Sequence, residues 1–144
     1  VTQGRVTANG EITGQITQGF VALVGVCEGD SEDEARLLAR KTANLRVFSD
    51  DAGKMNLSAL DIGAGVLVIS QFTLYADTRK GRRPSFISAA KPDVAAPLVD
   101  FYAECLHDEG IATIEHGVFG AAMQVEIHND GPVTIILDSD ELGS

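Results

Sequence analysis

The sequence predicts an α+β fold: a mixed or antiparallel, barrel-like β-sheet with two packed helices in a single domain, residues 1–144. Segments with strand patterns outnumber segments with helix patterns, and the hairpin signals are too many for a doubly wound parallel sheet. Neither a G-x-G-x-x-G motif nor a P-loop lysine motif occurs, so the sequence does not support a nucleotide-cofactor fold. A chain of 144 residues can bury a core without disulfides or a structural metal.

The first elements are three strands. Asn9-Gly10 is the dipeptide favoured in two-residue hairpin turns, and it predicts strands at residues 5–8 and 11–16. Residues 19–26 are mostly apolar and β-branched, which predicts a buried strand.

A helix is predicted next, over residues 31–45. Ser31 with Glu34 three residues later matches a capping box. One helical face then carries Ala35, Leu38, Thr42 and Leu45. Residues 47–48 predict a short strand that ends at the turn residues 50–53.

The second half of the chain predicts a central strand, a second helix and more strands. Residues 66–72 begin as a continuous apolar run that breaks into polar residues at Ser70 and Gln71, and they predict the central strand. Either Pro92 or Pro97 can begin the helix, and Gly110 ends it. Its apolar face carries Ala95, Leu98, Val99, Tyr102, Cys105 and Leu106. Three further strands are predicted, at residues 112–116, 122–128 and 133–137.

Composition and charge limit the class of protein. With 44% hydrophobic and 22% charged residues the chain is globular, and apolar runs such as residues 66–69 are far too short to cross a bilayer. No basic region followed by an apolar stretch stands at the start, so secretion has no support. Cys27 and Cys105 lie far apart in the sequence, so we expect no disulfide framework and a reducing, cytoplasmic location.

The charge is unevenly distributed. Residues 92–144 contain no lysine or arginine, although the net charge of the whole chain is −10. Four of the 11 basic residues lie in one pentapeptide: Arg79, Lys80, Arg82 and Arg83, around Gly81. A short basic run is most often a solvated loop. If this protein meets a phosphate backbone, however, it does so at this segment.

The segment Ser70-Gln71-Phe72-Thr73-Leu74 is the first candidate site. Polar residues at the end of a buried strand are a common place for a ligand site, and strand alternation predicts Ser70 and Phe72 on one face. The alternative is a solvated strand end. A serine nucleophile would need a base and an orienting acid, which the sequence does not identify.

Two other segments could contribute to a site. Asn129-Asp130-Gly131-Pro132 predicts a tight turn, and the Gly131–Pro132 bond could be cis. Phe119 and Met123, flanked by small residues, could line a pocket or simply fill the core. His107, His116 and His128 lack metal-ligand spacing, so we expect no metal site and no cofactor.

These segments together resemble the D-aminoacyl-tRNA deacylase family. The resemblance rests on residues 70–86, which run from the Ser-Gln motif through the basic pentapeptide, and on residues 129–134. Residues 44–48, 53–56 and 117–120 also fit in order. Members of this family usually have a further strand before the first hairpin, and because this sequence begins at Val1 we expect its first strand to be shortened.

The resemblance implies a homodimer with two active sites at the subunit interface. Such an enzyme hydrolyses the ester between a D-amino acid, or mischarged glycine, and the 3′ end of tRNA. Ser70, Gln71 and Leu74 would form the pocket for the terminal adenosine and the aminoacyl group, with Phe86, Phe119 and Met123 as further substrate-binding residues. Gly131 and Pro132, joined by a cis bond, would enter the partner subunit's site and reject L-amino acids.

The resemblance also implies how the ester is cleaved. The terminal 2′-hydroxyl of the tRNA would assist water, while Gln71 and the backbone N–H at Phe72 stabilise the developing charge. Thr73 and Thr78 are candidate hydroxyls without an evident base. The basic pentapeptide would contact tRNA phosphates.

Two alternatives remain. One is a non-catalytic, nucleic-acid-associated interaction module on the same fold. The other is a conventional serine or threonine hydrolase of small esters, against which the absence of a G-x-S-x-G motif counts.

Overall fold

The computed structural model describes residues 1–142, which form eight strands, three α-helices and a 3₁₀ helix. The strands are β1 (Gln3–Ala8), β2 (Glu11–Ile16), β3 (Gly19–Val24), β4 (Phe48–Ser49), β5 (Met55–Leu57), β6 (Gly65–Ser70), β7 (Ile114–His116) and β8 (Met123–His128). The α-helices are α1 (Glu32–Asn44), α2 (Ala59–Ile62) and α3 (Pro92–Glu109), and the 3₁₀ helix is Phe72–Tyr75.

The strands form one antiparallel sheet, one parallel sheet and a two-stranded ribbon. The antiparallel sheet has the order β2-β1-β8, the parallel sheet has the order β3-β6-β7, and β4 pairs with β5. Asn9 and Gly10 both have positive φ, 53° and 78°, as the predicted hairpin turn requires.

Strand β6 explains the arrangement of the layers. Its Val66 and Val68 belong to the core that the helices cover, together with Val99 and Tyr102 of α3. The intervening Leu67 and Ile69 pack on the other face, with Val6 and Ile16 of the antiparallel sheet. The parallel sheet is therefore the middle of three layers, which is why β6 is apolar at consecutive positions.

Both long helices begin where the sequence predicted. The Ser31 hydroxyl accepts a hydrogen bond from the Asp33 N–H, and the Glu34 carboxylate accepts one from the Ser31 N–H at 3.1 Å. Helix α3 begins at Pro92, so Pro97 lies inside it, and Gly110 ends it with φ 115°.

The predicted α+β class with two packed helices is confirmed, but several details are wrong. The sheets of residues 1–142 do not close into a barrel. Residues 133–137 were predicted as a strand, but they form none, because no other described backbone segment hydrogen-bonds to these five residues. The central strand ends at Ser70 and not at Phe72.

The remaining differences are smaller. Strand β3 ends at Val24, two residues before its predicted end, and β7 and β8 are also shorter than predicted. Strand β5 and helix α2 were not predicted. Cys27 and Cys105 are both free.

Candidate active site at the end of the parallel sheet

Strand β6 delivers the Ser-Gln motif to the carboxyl edge of the parallel sheet. Ser70 is its last residue and is level with Val24 at the end of β3. The Gln71 N–H then donates to the Val24 carbonyl at 2.8 Å, and the chain enters the 3₁₀ helix. In open sheets with parallel strands, ligands bind outside the carboxyl ends of the strands, so this position suits a site.

The motif side chains lie at the surface of the single chain. Phe72 and Leu74 are 55% and 56% exposed, and Thr73 is exposed as well. The Gln71 side-chain amide donates a hydrogen bond to the Thr73 hydroxyl. Because the 3₁₀ helix begins at Phe72, strand alternation does not continue past Ser70, and the prediction that Phe72 shares the face of Ser70 is wrong.

Gly25 allows the 3₁₀ helix to lie against the end of β3. A Cβ atom at this position would lie 3.1 Å from the Tyr75 ring and 3.2 Å from Cβ of Leu74. Burial raises the pKa of Tyr75 to about 12, and the nearby Asp30 carboxylate adds to the shift. Tyr75 is therefore neutral at physiological pH. Neither Gly25 nor Tyr75 was predicted as a site residue, although a glycine inside the predicted strand at residues 19–26 is a signal of close backbone approach.

The basic pentapeptide forms a loop that begins close to the motif. Asp77 and Ser85 exchange backbone hydrogen bonds of 2.7 and 2.8 Å, which closes residues 78–84 into a loop. Directly after this bridge, Phe86 packs edge-on against Phe72 with ring centroids 5.1 Å apart. Thr78 is exposed at the start of this loop.

Arg79 differs from the other basic residues of the loop. Its guanidinium donates to both carboxylate oxygens of Asp77, at 2.9 and 2.8 Å, and its backbone N–H donates to the same carboxylate at 3.0 Å. Within residues 1–142, no carboxylate forms an ion pair with Lys80, Arg82 or Arg83.

Phe119 and Met123 are held beside the end of β7. The Met123 sulfur accepts the Val118 N–H at 3.4 Å, and Met123 also packs on the core around Leu67 and Ile69. A Cβ at Gly117 would lie 2.7 Å from that sulfur, so a larger residue there would force the Met123 side chain to shift. Met123 is thus partly a core residue, whereas Phe119 is 39% exposed.

The Gly131–Pro132 segment projects into solvent. Its peptide bond is cis, and both residues are exposed. Asn129, before the segment, bonds to residues after it: its amide donates to the Thr134 hydroxyl at 3.0 Å, and its side-chain carbonyl accepts the Val133 N–H at 3.2 Å.

A cavity of about 520 Å³ lies beside the end of β3, and Leu74 is the one residue of the Ser70–Leu74 segment that lines it. Tyr75 lines it as well, together with Asn129, Val133 and Thr134. The outer strand β3 and the segment after Thr134 supply most of the remaining wall, which is apolar. Gly131 and Pro132 themselves do not line this cavity.

The described residues offer no conventional hydrolase machinery. In residues 1–142, no histidine or carboxylate side chain hydrogen-bonds to Ser70, Thr73 or Thr78. No group of histidine, cysteine or acidic residues in this part of the chain could hold a metal ion. None of the helices in the described part is long and apolar enough to cross a membrane. The available groups are therefore amides, hydroxyls and backbone donors.

A family model described as D-Tyr-tRNA(Tyr) deacylase matches residues 1–138. The chain belongs to this family. Curated relatives named D-aminoacyl-tRNA deacylase include that of Chloroflexus aurantiacus, 56% identical over 99% of this chain and 88% of the relative. The relative from Thermus aquaticus is 55% identical over 96% of this chain and 91% of the relative.

Solved structures agree with the fold of this family member. One, named c-Myc DNA Unwinding Element Binding Protein, is 39% identical with a TM-score of 0.89, covering 96% of this chain and 93% of that one. Another, described as a probable eukaryotic D-amino acid tRNA deacylase, has a TM-score of 0.70 at 16% identity, covering 88% and 89%, and supports the fold alone.

Proposed function

We propose that this family member hydrolyses the ester between a D-amino acid, or mischarged glycine, and the 3′ end of tRNA. The observation that carries the proposal is a cavity beside the carboxyl edge of the parallel sheet, where Leu74 of the Ser70–Leu74 segment lies together with Asn129, Val133 and Thr134. We place this activity in the cytoplasm, in one domain of residues 1–144.

Selection against L-amino acids is assigned to Gly131 and Pro132. Their carbonyls accept hydrogen bonds from the α-ammonium group of the substrate. With the ammonium and the ester both held, an L side chain points into the protein backbone and a D side chain points into open space. Such selectivity works by exclusion, which accounts for breadth among D-amino acids and for acceptance of glycine.

The hydrolytic step uses no side-chain nucleophile in this proposal. Gln71 and the Phe72 N–H stabilise the negative charge that develops on the ester oxygen. The 2′-hydroxyl of the terminal adenosine assists the attacking water. Ser70, Leu74, Phe86, Phe119 and Met123 shape the pocket for the adenosine and aminoacyl groups.

We further propose that the active unit is a homodimer with its two sites at the subunit interface. The exposure of Phe72, Leu74 and Phe119 supports this, because a single chain leaves these apolar side chains uncovered at the motif. The exposure of the Gly131–Pro132 segment also supports this, because in its own chain the segment does not line the cavity and is free to contact a second subunit.

The test compares hydrolysis of D-tyrosyl-tRNA and L-tyrosyl-tRNA at sub-stoichiometric enzyme. We expect cleavage of the D ester only, and we expect Pro132→Ala to reduce it about 10²-fold or to admit the L ester, because the contact to the ammonium group is misplaced. Pro92→Ala, at the exposed start of α3, is the matched control and should retain wild-type activity. Equal cleavage of both esters by the wild type would refute the proposal.

A second candidate is favoured by the similarity to one solved neighbour, whose name describes a protein that binds a DNA element. In that case this chain would be a nucleic-acid-binding module without catalysis. Binding of tRNA with no cleavage of either ester would support this candidate over the hydrolase.

A further inference from the structure

The basic loop is anchored at both ends to the candidate site. The backbone bridge between Asp77 and Ser85 fixes its base, and the Phe72–Phe86 contact attaches that base to the 3₁₀ helix. Gly81, with φ 65° and no atom within 4 Å of an added Cβ, forms the turn at its tip. The position of the loop relative to the motif is therefore defined by the fold.

Inside the loop, Asp77 and Arg79 form a clasp, defined here as the three hydrogen bonds from the Arg79 backbone and guanidinium to the Asp77 carboxylate. A bidentate arginine–carboxylate pair is the geometrically most restrictive ion pair available to side chains. It spans only two residues, so it constrains the backbone between them. The pair uses the Nε and Nη2 donors of Arg79 within the loop.

Unlike Arg79, the other three basic residues of the loop form no ion pair within the described chain: Lys80, Arg82 and Arg83. All three are exposed, and no carboxylate of residues 1–142 lies within ion-pair distance of them. They follow directly after the clasp, on both sides of the turn at Gly81. Their charges remain available to an external anion.

We propose that Arg79 is a positioning residue and that only Lys80, Arg82 and Arg83 bind tRNA phosphates. The clasp holds the loop in the conformation that presents these three cations together, so its contribution to binding is preorganisation. This inference rests on the proposed action on tRNA, since it concerns how the same substrate is held.

The clasp is stable across the physiological pH range. The hydrogen bonds from Arg79 hold the pKa of Asp77 below the ordinary carboxyl value. A lowered pKa means that the stabilisation is complete above the unfolded-state value and is lost only as the pH falls through the lowered folded-state value. Affinity for tRNA should therefore not change between pH 6 and 8 through this pair.

Simple electrostatics and the clasp predict opposite results for Asp77→Asn. Removing an acidic group and releasing an arginine beside a polyanion should tighten binding if only net charge matters. If the clasp positions the loop, the same change should weaken binding, by about five-fold for an exposed pair of this kind.

The experiment measures the affinity of the full chain for deacylated tRNA at several potassium chloride concentrations. The slope of log K against log salt counts the phosphates that are neutralised. We expect Arg82→Gln and Arg83→Gln each to reduce the magnitude of the slope by about one. We expect Asp77→Asn, Arg79→Gln and their double variant to weaken binding by the same factor without changing the slope.

Arg79→Lys separates the two roles of an arginine. Lysine keeps the charge but cannot form the bidentate pair, so a positioning role predicts the weakened affinity of Arg79→Gln. A phosphate-binding role predicts near wild-type affinity and slope. Arg40→Gln, which removes an exposed arginine paired with Glu109 at the end of α3, is the matched control and should change neither quantity.

A slope reduced by about one in Arg79→Gln, or tighter binding by Asp77→Asn, would overturn the inference and leave the proposed function standing. Absence of any tRNA binding by the wild type would overturn both. The binding experiment uses deacylated tRNA and does not depend on catalysis. If the wild type bound tRNA but did not hydrolyse D-tyrosyl-tRNA, the proposed function would be refuted, and the salt-dependence slopes would still decide the role of Arg79. Thermal unfolding of each variant checks that the fold is retained.

Discussion

Single residues at this site act through contacts that the sequence could not reveal. A Cβ at Gly117 would lie 2.7 Å from the Met123 sulfur, and that sulfur accepts a hydrogen bond from the Val118 N–H. The sequence predicted either a pocket or a core role for Met123, and the structure gives it a core contact together with a place beside Phe119. Sequence spacing identifies neighbours along the chain but not atoms that approach across strands.

Thr73 provides the residue-scale prediction. Its hydroxyl accepts a hydrogen bond from Gln71 and has no base beside it among residues 1–142, so it is not activated as a nucleophile. We expect Thr73→Ala to retain single-turnover deacylation of D-tyrosyl-tRNA within about ten-fold. Gln71→Ala, which removes a proposed oxyanion donor, should lose about 10²-fold or more. A loss of several orders of magnitude in Thr73→Ala would instead make this threonine the nucleophile.

At the scale of elements, the sequence predicted turns and helix starts correctly, but it did not predict correctly which segments pair as strands. The hairpin at Asn9-Gly10 and the capping box at Ser31 depend on adjacent residues, and both formed as predicted. Residues 133–137 have the composition of a strand, but a strand also requires a hydrogen-bonded neighbour, which composition does not specify. The turn of the chain into a 3₁₀ helix after Ser70 was equally hidden, because residues 71–74 alternate between polar and apolar as a strand would.

The capping box of α1 carries the element-scale prediction. Ser31 and Glu34 satisfy backbone donors at the start of a helix whose Ala35, Ala39, Thr42 and Ala43 are buried against the core. Ser31→Ala should lower the free energy of unfolding by about 1 kcal/mol, measured by urea denaturation with the slope m unchanged. Ser49→Ala, on exposed β4, is the control, and an equal loss there would show that the cap contributes nothing specific.

The capping box also predicts a pH dependence with a defined sign. Hydrogen bonds from Ser31 lower the pKa of Glu34. Its contribution is therefore present above the ordinary glutamate value and declines as the pH falls through the lowered one. The difference in stability between wild type and Ser31→Ala should accordingly narrow in acid, in the same urea titrations.

For the whole molecule, the distribution of charge decides how an acidic protein can meet tRNA. All the lysines and arginines precede residue 92, and the exposed, unpaired ones of the basic loop lie beside the motif. Attraction is thus local, and the remaining acidic surface disfavours other approaches of a polyanion. The sequence alone was sufficient for this inference, since charge counting needs no coordinates, but it could not distinguish Arg79 from its neighbours.

In the proposed dimer, each active site is shared between the two subunits, and this sharing can be tested. If each site combines Gln71 of one subunit with Pro132 of the other, two inactive variants can complement each other. In an equal mixture of Gln71→Ala and Pro132→Ala chains, refolded together, half of the dimers contain both variants, and each of these has one intact site. Activity should then recover to about a quarter of the wild-type value. If both residues act within one chain, every site in the mixture carries a defect, and activity stays at the level of the separate variants. Because the two variants fold into the same mixture in either case, the recovered fraction distinguishes a shared site from a self-contained one.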